Sequence, residues 1–138
     1  MREILFKAKR KDNGEWVERY YRADTDLDIH FICGWNYYLS ENGLEREPFE
    51  YEIDPDTLCQ YTGLTDKNGK KIWENDICEM VYNGVVYVYV VVWDKTELDF
   101  KGTNGKENYG RNFEYLGCCE EIEVIGNIFD NPELMEVE

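Results

Sequence analysis

Metal binding is the first chemistry to consider, because the single histidine stands three residues before a cysteine. His30 and Cys33 have the spacing of two zinc ligands, and Cys118-Cys119 could supply two thiolates. Structural zinc sites usually draw on paired units such as CxxC or HxxxH, and adjacent cysteines in a strand point to opposite faces. Buried thiol packing therefore accounts better for the cysteines, and we expect no metal and no cofactor.

Catalytic groupings are not favoured either. A Cys–His nucleophile would need His30 beside a cysteine, and no nucleophile-elbow pattern occurs. Asp66, Glu74 and Asp76 could form a metal-dependent hydrolytic trio. Turn chemistry explains them better, because Asp66 can hold the turn that follows it and Asp76 can accept backbone N–H groups where the next strand begins. We expect a protein that is not an enzyme.

Aromatic side chains are the remaining candidates for a binding function. Tyr and Trp anchor many protein–protein contacts. The same side chains could instead pack internally, between the N-terminal strands and the C-terminal half, and both interpretations stay open. The six candidate interface residues are Trp35, Tyr37, Tyr38, Tyr87, Tyr89 and Trp93.

The acidic composition of the chain argues against a nucleic-acid partner. The 138 residues include 30 Asp and Glu against 15 Lys and Arg, a formal charge of −15. Because nucleic-acid binding depends on cations that displace counterions, we expect no direct nucleic-acid partner. No apolar run approaches the ~18 residues of a membrane span, and no signal peptide is visible. The odd number of cysteines, five, fits reduced thiols in a cytoplasm.

The elements that must position these residues are mostly strands. In the N-terminal part, residues 4–9 and 16–21 alternate around an Asn-Gly turn, which predicts a hairpin. Residues 29–39 predict a strand broken near Gly34, and residues 40–48 predict a polar loop. A further strand is predicted over residues 49–53, and Asp54-Pro55 then predicts a helix of about two turns.

The C-terminal part has the strongest local pattern. Residues 77–82 and 85–93 flank Asn83-Gly84, which predicts two strands and a type I′ turn. The second strand is apolar on both faces, so we expect both to be covered. Residues 94–111 predict a long loop, and two more strands are predicted over residues 112–116 and 121–129.

Three segments together resemble the YopX family of phage and prophage proteins. They are the opening residues 1–8, residues 58–77 (LCQYTGLTDKNGKKIWENDI) and residues 124–134 (VIGNIFDNPEL). The family usually has Gly where Asn75 stands, and Asn is the best substitute where a positive φ is needed. A second departure is Lys9-Arg10-Lys11, where the family often has an aromatic residue and an acid.

The resemblance implies a mainly β fold whose C-terminal half is similar to an SH3-type barrel. We expect an N-terminal β subdomain (residues 1–53) packed on an SH3-like small β-barrel (residues 54–138, with the most specific segment at 58–77), and one or two short helices. The two parts could also form one compact unit.

The function that follows is a phage or prophage accessory protein in the cytoplasm of the host bacterium. With no catalytic grouping in the sequence, we expect a non-enzymatic protein-interaction or self-assembly module that binds another protein or forms a homo-oligomer. The alternative is an acidic inhibitor of a host nucleic-acid-binding protein, acting by charge mimicry.

Overall fold

The computed structural model describes residues 3–104 and 113–135, and the predicted mainly β class is confirmed. The described residues form antiparallel strands and short 3₁₀ turns, with no α-helix among them. The strands are β1 (Phe6–Lys9), β2 (Trp16–Asp24), β3 (Ile29–Ser40), β4 (Gly43–Glu52), β5 (Cys59–Thr65), β6 (Lys71–Trp73), β7 (Asp76–Tyr82), β8 (Val85–Asp94), β9 (Asp99–Thr103), β10 (Phe113–Tyr115) and β11 (Glu121–Asn127). The 3₁₀ turns are Pro55–Thr57, Leu116–Cys118 and Pro132–Met135.

The chain separates into two compact units, unit 1 (Met1–Gln60) and unit 2 (Tyr61–Glu138). The sequence predicted a division after residue 53. Strand β5 begins in unit 1 and ends in unit 2.

Unit 1 is an antiparallel sheet in which the strands follow the order β4-β3-β2-β1, with the first residues of β5 beside β1. The predicted first hairpin is confirmed, because β1 pairs with β2 and Gly14 in the intervening turn has a φ of 73°. Ala8, Ile32 and Ile53 are fully buried at the centre of this unit. Phe6, Val17, Tyr21, Phe49 and Leu58 pack around them.

Two predictions about β3 and β4 were wrong. Residues 43–48 are not a loop: they belong to β4, which pairs with β3 from Ser40↔Gly43 to Phe31↔Glu52. Strand β3 also continues without a break through Gly34, where a Cβ atom would lie 3.0 Å from Arg19 Cγ and from the Phe49 ring. The absence of a side chain at Gly34 therefore allows Arg19 and Phe49 to pack closely against β3.

The predicted helix at Asp54 is shorter than expected. Asp54 caps a single 3₁₀ turn by accepting from the Asp56 N–H at 3.0 Å. The helix cannot extend further because Cys59 already pairs with Lys7 as part of β5. The local start signal was correct, but strand pairing determined where the helix ends.

Unit 2 contains a five-stranded antiparallel sheet with the order β10-β9-β8-β7-β11, and the end of β5 pairs with β6. The predicted Asn83-Gly84 turn is confirmed, with φ values of 51° and 77°. The buried core of this unit is formed by Ile72, Cys78, Met80, Tyr82, Tyr89, Val91, Phe100 and Leu116.

Three predictions about unit 2 are not fully confirmed by the structure. Residues 99–103 were expected in a loop but form β9, which pairs with β8; residues 105–112 lie outside the described residues. Within the described ranges β10 and β11 do not pair, so closure into an SH3-like barrel is not confirmed. Strand β8 is buried on both faces only at its centre, since Tyr89, Val90 and Val91 are buried and Val86 is exposed.

Candidate interaction surface

The six predicted interface residues fall on one strand of each unit. Trp35, Tyr37 and Tyr38 lie on β3 of unit 1, and all three are exposed. On β8 of unit 2, Tyr87 and Trp93 are also exposed, but Tyr89 is only 5% exposed. The three aromatic residues on β3 and the three on β8 therefore belong to different units. That they form an interface remains a prediction.

The β3–β4 hairpin places the unit 1 aromatics beside residues that the sequence analysis did not select. Leu39 pairs with Leu44, Tyr37 with Arg46 and Trp35 with Pro48. Opposed residues share a face of the sheet, and so do alternate residues along a strand. The aromatic face therefore consists of Trp35, Tyr37, Leu39, Leu44, Arg46 and Pro48. Tyr38 lies on the opposite face.

Much of the aromatic face is open to solvent. Tyr37 is 63% exposed, Leu39 83% and Leu44 69%. The Arg46 guanidinium lies over the Trp35 ring, with its Cζ atom 4.0 Å from the ring centre, a favourable cation–π contact. Contiguous exposed apolar patches of this kind mark interaction sites more often than isolated apolar residues do.

The edge of this hairpin is protected against pairing with another strand. β4 is the terminal strand of the unit 1 sheet. It contains Pro48, which has no N–H to donate, and four glutamates, Glu45, Glu47, Glu50 and Glu52. Proline and charge are usual means of blocking edge-to-edge association. Binding through this hairpin is therefore expected to use its aromatic face rather than its edge.

The unit 2 aromatics already make contacts within unit 2. The Tyr87 and Tyr89 rings stack with centroids 5.4 Å apart, and Trp93 meets Phe100 edge-on at 4.9 Å. These contacts favour internal packing for Tyr89 and Phe100. The aromatic face of unit 1 is the more open of the two groups.

His30 belongs to a hydrogen-bonded chain that the sequence did not reveal. Its Nδ1 lies 2.6 Å from the Tyr21 hydroxyl, and its Nε2 lies 2.8 Å from Asp28 Oδ1. His30 and Cys33 are three positions apart in one continuous strand, so they point to opposite faces. They cannot hold one ion together, and no group of three potential metal ligands occurs in residues 3–104 and 113–135.

Unit 2 contains a buried lysine that the sequence analysis also missed. Lys101 is 1% exposed, and its Nζ lies 2.7 Å from Asp94 Oδ2 and 3.0 Å from Glu97 Oε1. Burial alone would lower the pKa of Lys101, but the hydrogen bonds to these two carboxylates outweigh it and raise the pKa. The Tyr115 hydroxyl donates to the Glu97 carboxylate. This cluster links the end of β8, where Asp94 lies, to Lys101 in β9.

Comparison with known proteins identifies the family. The family model described as YopX protein matches residues 5–136, nearly the whole chain. The chain belongs to the YopX family. It is also similar to a solved structure described as the crystal structure of protein EF1440 from Enterococcus faecalis. The identity is 22%, with 98% of this chain and 99% of that chain covered and a TM-score of 0.56, a likeness of fold. No curated protein matches the chain.

In this YopX family member, two aspartates of the most specific motif accept hydrogen bonds from backbone N–H groups. Asp66 Oδ1 accepts from the N–H groups of Asn68 and Lys70, both at 2.9 Å, which confirms its predicted role in the turn. Asp76 Oδ2 accepts from the Trp73 N–H at 2.8 Å, again as predicted. No helix in the described part of this YopX chain is long and apolar enough to cross a membrane.

The departure from the YopX pattern at Asn75 leaves its turn intact, as predicted. Asn75 has a φ of 73°. Its N–H donates to the Val91 carbonyl at 2.8 Å, and its own carbonyl accepts from the Ile128 N–H at 3.1 Å. The backbone at this position therefore connects β8 to the end of β11.

Proposed function

We propose that this YopX family protein is a non-enzymatic protein-interaction module of a phage or prophage, acting in the cytoplasm of the host bacterium. The binding surface is the aromatic face of the β3–β4 hairpin. The observation that carries the proposal is the exposure of Tyr37, Leu39 and Leu44 side by side on that face.

Binding through this face has an evident driving force. Fully burying one Leu side chain contributes about 1.5–3 kcal/mol, and Leu39 and Leu44 are directly opposed on the two strands. Tyr37 and Trp35 add aromatic surface of the kind that is enriched at the centres of interfaces. The occupant can be another protein or a second copy of the chain, which would form a homo-oligomer.

The test compares two double variants in affinity capture from nuclease-treated host lysate. Leu39→Ser/Leu44→Ser removes apolar groups from the aromatic face. Leu27→Ser/Leu98→Ser removes two leucines that are similarly exposed elsewhere and serves as the matched control. We expect wild type and control to retain one stoichiometric partner that the face variant loses.

Self-association is measured on the same three proteins by sedimentation velocity over a range of concentrations. A dimer that only the face variant fails to form would identify the partner as a second copy. Equal behaviour of all three proteins in both assays, with unchanged melting temperatures, would contradict the proposal.

A second candidate function rests on charge. The chain has twice as many carboxylates as Lys and Arg side chains, 30 against 15, so a large negative excess at its surface is unavoidable. An acidic inhibitor that mimics DNA would bind a basic host protein. This function predicts binding that weakens with salt and is displaced by duplex DNA, and a partner indifferent to DNA would exclude it.

A further inference from the structure

We infer that the aromatic face takes a partner segment in which a carboxylate stands beside apolar side chains, and that Arg46 binds this carboxylate. The inference rests on the proposed protein-binding function and specifies the chemistry of the partner. It starts from the position of Arg46, which is opposite Tyr37 and in contact with Trp35.

The guanidinium of Arg46 lies on the aromatic face, where it can bind an anion. Its Cζ atom lies over the Trp35 ring, 4.0 Å from the ring centre. The N–H donors of a guanidinium lie in its plane, and a guanidinium that stacks flat on an aromatic ring directs these donors outwards from the ring. Such a group binds a carboxylate through two parallel hydrogen bonds when the carboxylate approaches from the side.

Arg46 differs from the other arginines that the structure describes. Arg10 lies 2.6 Å from Asp12, Arg22 lies 2.6 Å from Glu50, and Arg19 lies 3.7 Å from Glu18. In the described part of the chain, no carboxylate lies within 4.0 Å of the Arg46 guanidinium. In a protein with such an excess of carboxylates, this arginine is the one suited to an acidic group from outside.

The immediate neighbours of Arg46 on the aromatic face are Tyr37, Leu44 and Pro48. Glu45 and Glu47 adjoin Arg46 in sequence, so they leave β4 on the opposite face. A hollow of about 410 Å³ here is lined by residues of both faces, Tyr37, Leu44 and Arg46 of the aromatic face and Tyr38 and Glu45 of the other. A carboxylate on Arg46 would therefore be flanked by Tyr37 and Leu44, which can cover neighbouring apolar side chains.

A peptide carboxylate fits better than a nucleic-acid phosphate. Glu50 and Glu52 lie on the same face as Arg46, two and three alternate positions further along β4, and they already neutralise Arg22 and Lys11. A nucleic-acid strand carries a charge at every nucleotide and needs several cations, whereas a segment with one carboxylate needs only Arg46. The net charge of −15 also disfavours a nucleic acid.

The probe is an immobilised peptide array in which a central Asp, Asn or Lys is flanked by every combination of Leu, Phe, Tyr and Trp. We expect the wild-type chain to be retained on Asp-centred peptides. Arg46→Gln should weaken this retention about tenfold, the size typical of losing a charge-assisted hydrogen bond. Arg19→Gln, which changes an exposed arginine on the other face, should bind like wild type.

The outcomes separate this inference from the proposed function. Retention that is independent of the central residue, yet lost in Leu39→Ser/Leu44→Ser, would overturn the role of Arg46 and support protein binding by the face. Preference for Lys-centred peptides, or no retention on any peptide, would also overturn the inference. Binding of single-stranded oligothymidylate with the same dependence on Arg46 would overturn it in favour of phosphate.

Discussion

The Asp66 carboxylate accepts a hydrogen bond from the backbone N–H of Val124, 3.0 Å away and 58 residues later in the chain. Its other oxygen holds the N–H groups of Asn68 and Lys70. One side chain thus joins the two segments in which the YopX resemblance is most extensive, the turn after β5 and strand β11. Both segments belong to unit 2, so Asp66 is a structural residue of that unit.

Asp66→Ala is expected to destabilise unit 2 by about 3 kcal/mol or more, since a buried donor left unsatisfied costs ~1–3 kcal/mol. Three backbone N–H groups lose their acceptor in this variant. Chemical denaturation gives the free energy of unfolding, and hydrogen exchange at Val124 reports the loss locally. Asp26→Ala, in an exposed turn, is the control, and equal stability of the two variants would contradict the assignment.

The stability contribution of Asp66 should depend on pH. Burial alone would raise the pKa of Asp66, but the N–H donors of Val124, Lys70 and Asn68 outweigh it and hold the pKa below its ordinary value. The contribution is therefore complete above the unfolded pKa of about 3.9 and is lost as the pH falls through the lower folded pKa. Between pH 7 and pH 2.5, the free energy of unfolding of the wild type should fall towards that of Asp66→Asn. A difference between the two free energies that stays constant with pH would contradict this prediction.

Asn75→Gly should retain the stability of the protein, whereas Asn75→Val should lose about 1–2 kcal/mol. The reason is the positive φ of 73° at this position, which costs a residue with a branched side chain about that much. Thermal melting of the two variants provides the comparison. If Asn75→Val melted like wild type, the backbone conformation would not be the feature that selects Asn or Gly here.

Gly102→Ala should destabilise unit 2 by about 1–3 kcal/mol, the usual cost of overpacking a core. A Cβ atom there would lie 2.8 Å from Met80 Sδ and 3.0 Å from Tyr89 Cβ. Gly117→Ala is the matched control, because its Cβ would meet nothing within 4 Å. Urea denaturation should therefore separate the two alanine variants, and coincident unfolding curves would refute close packing at β9.

Asp94→Asn should destabilise unit 2 more than Lys101→Met does. The first change leaves the buried Lys101 ammonium with Glu97 as its remaining described carboxylate partner. The second removes the buried charge itself, and replacing a buried ion by an apolar group of similar shape is often tolerated. Melting temperatures measured side by side give the order, and the reverse order would show that the cluster contributes chiefly through the lysine.

Local features could be predicted from the sequence wherever a few residues decide the backbone conformation. The turns at Asn83-Gly84 and Asn75 follow from the tolerance of Asn and Gly for positive φ. The role of Asp66 in its own turn was predicted on the same basis. Its bond to Val124 was not, because nothing within a short stretch of sequence specifies a partner 58 residues away.

The aromatic face could be predicted only in part from the sequence. Trp35 and Tyr37 were selected by residue type alone, but Leu44 and Arg46 were assigned to a polar loop because that segment lacks strand-like apolar alternation. Its pairing with β3 supplies the backbone hydrogen bonds that make it a strand. Strand β9 was not predicted either. A lysine such as Lys101 is rarely buried in a protein, and only the structure shows the carboxylates of Asp94 and Glu97 beside it.

The sequence by itself determined the family, the mainly β class and the turns, because these depend on motifs and on the conformational preferences of single residues. Only the tertiary structure decided the register of β3 on β4, and with it which side chains share the aromatic face. Register follows from hydrogen bonds between distant segments, and a shift by one residue would move every side chain to the other face. The contact of Arg46 with Trp35 depends on this register, because a shift by one residue would place the two side chains on opposite faces.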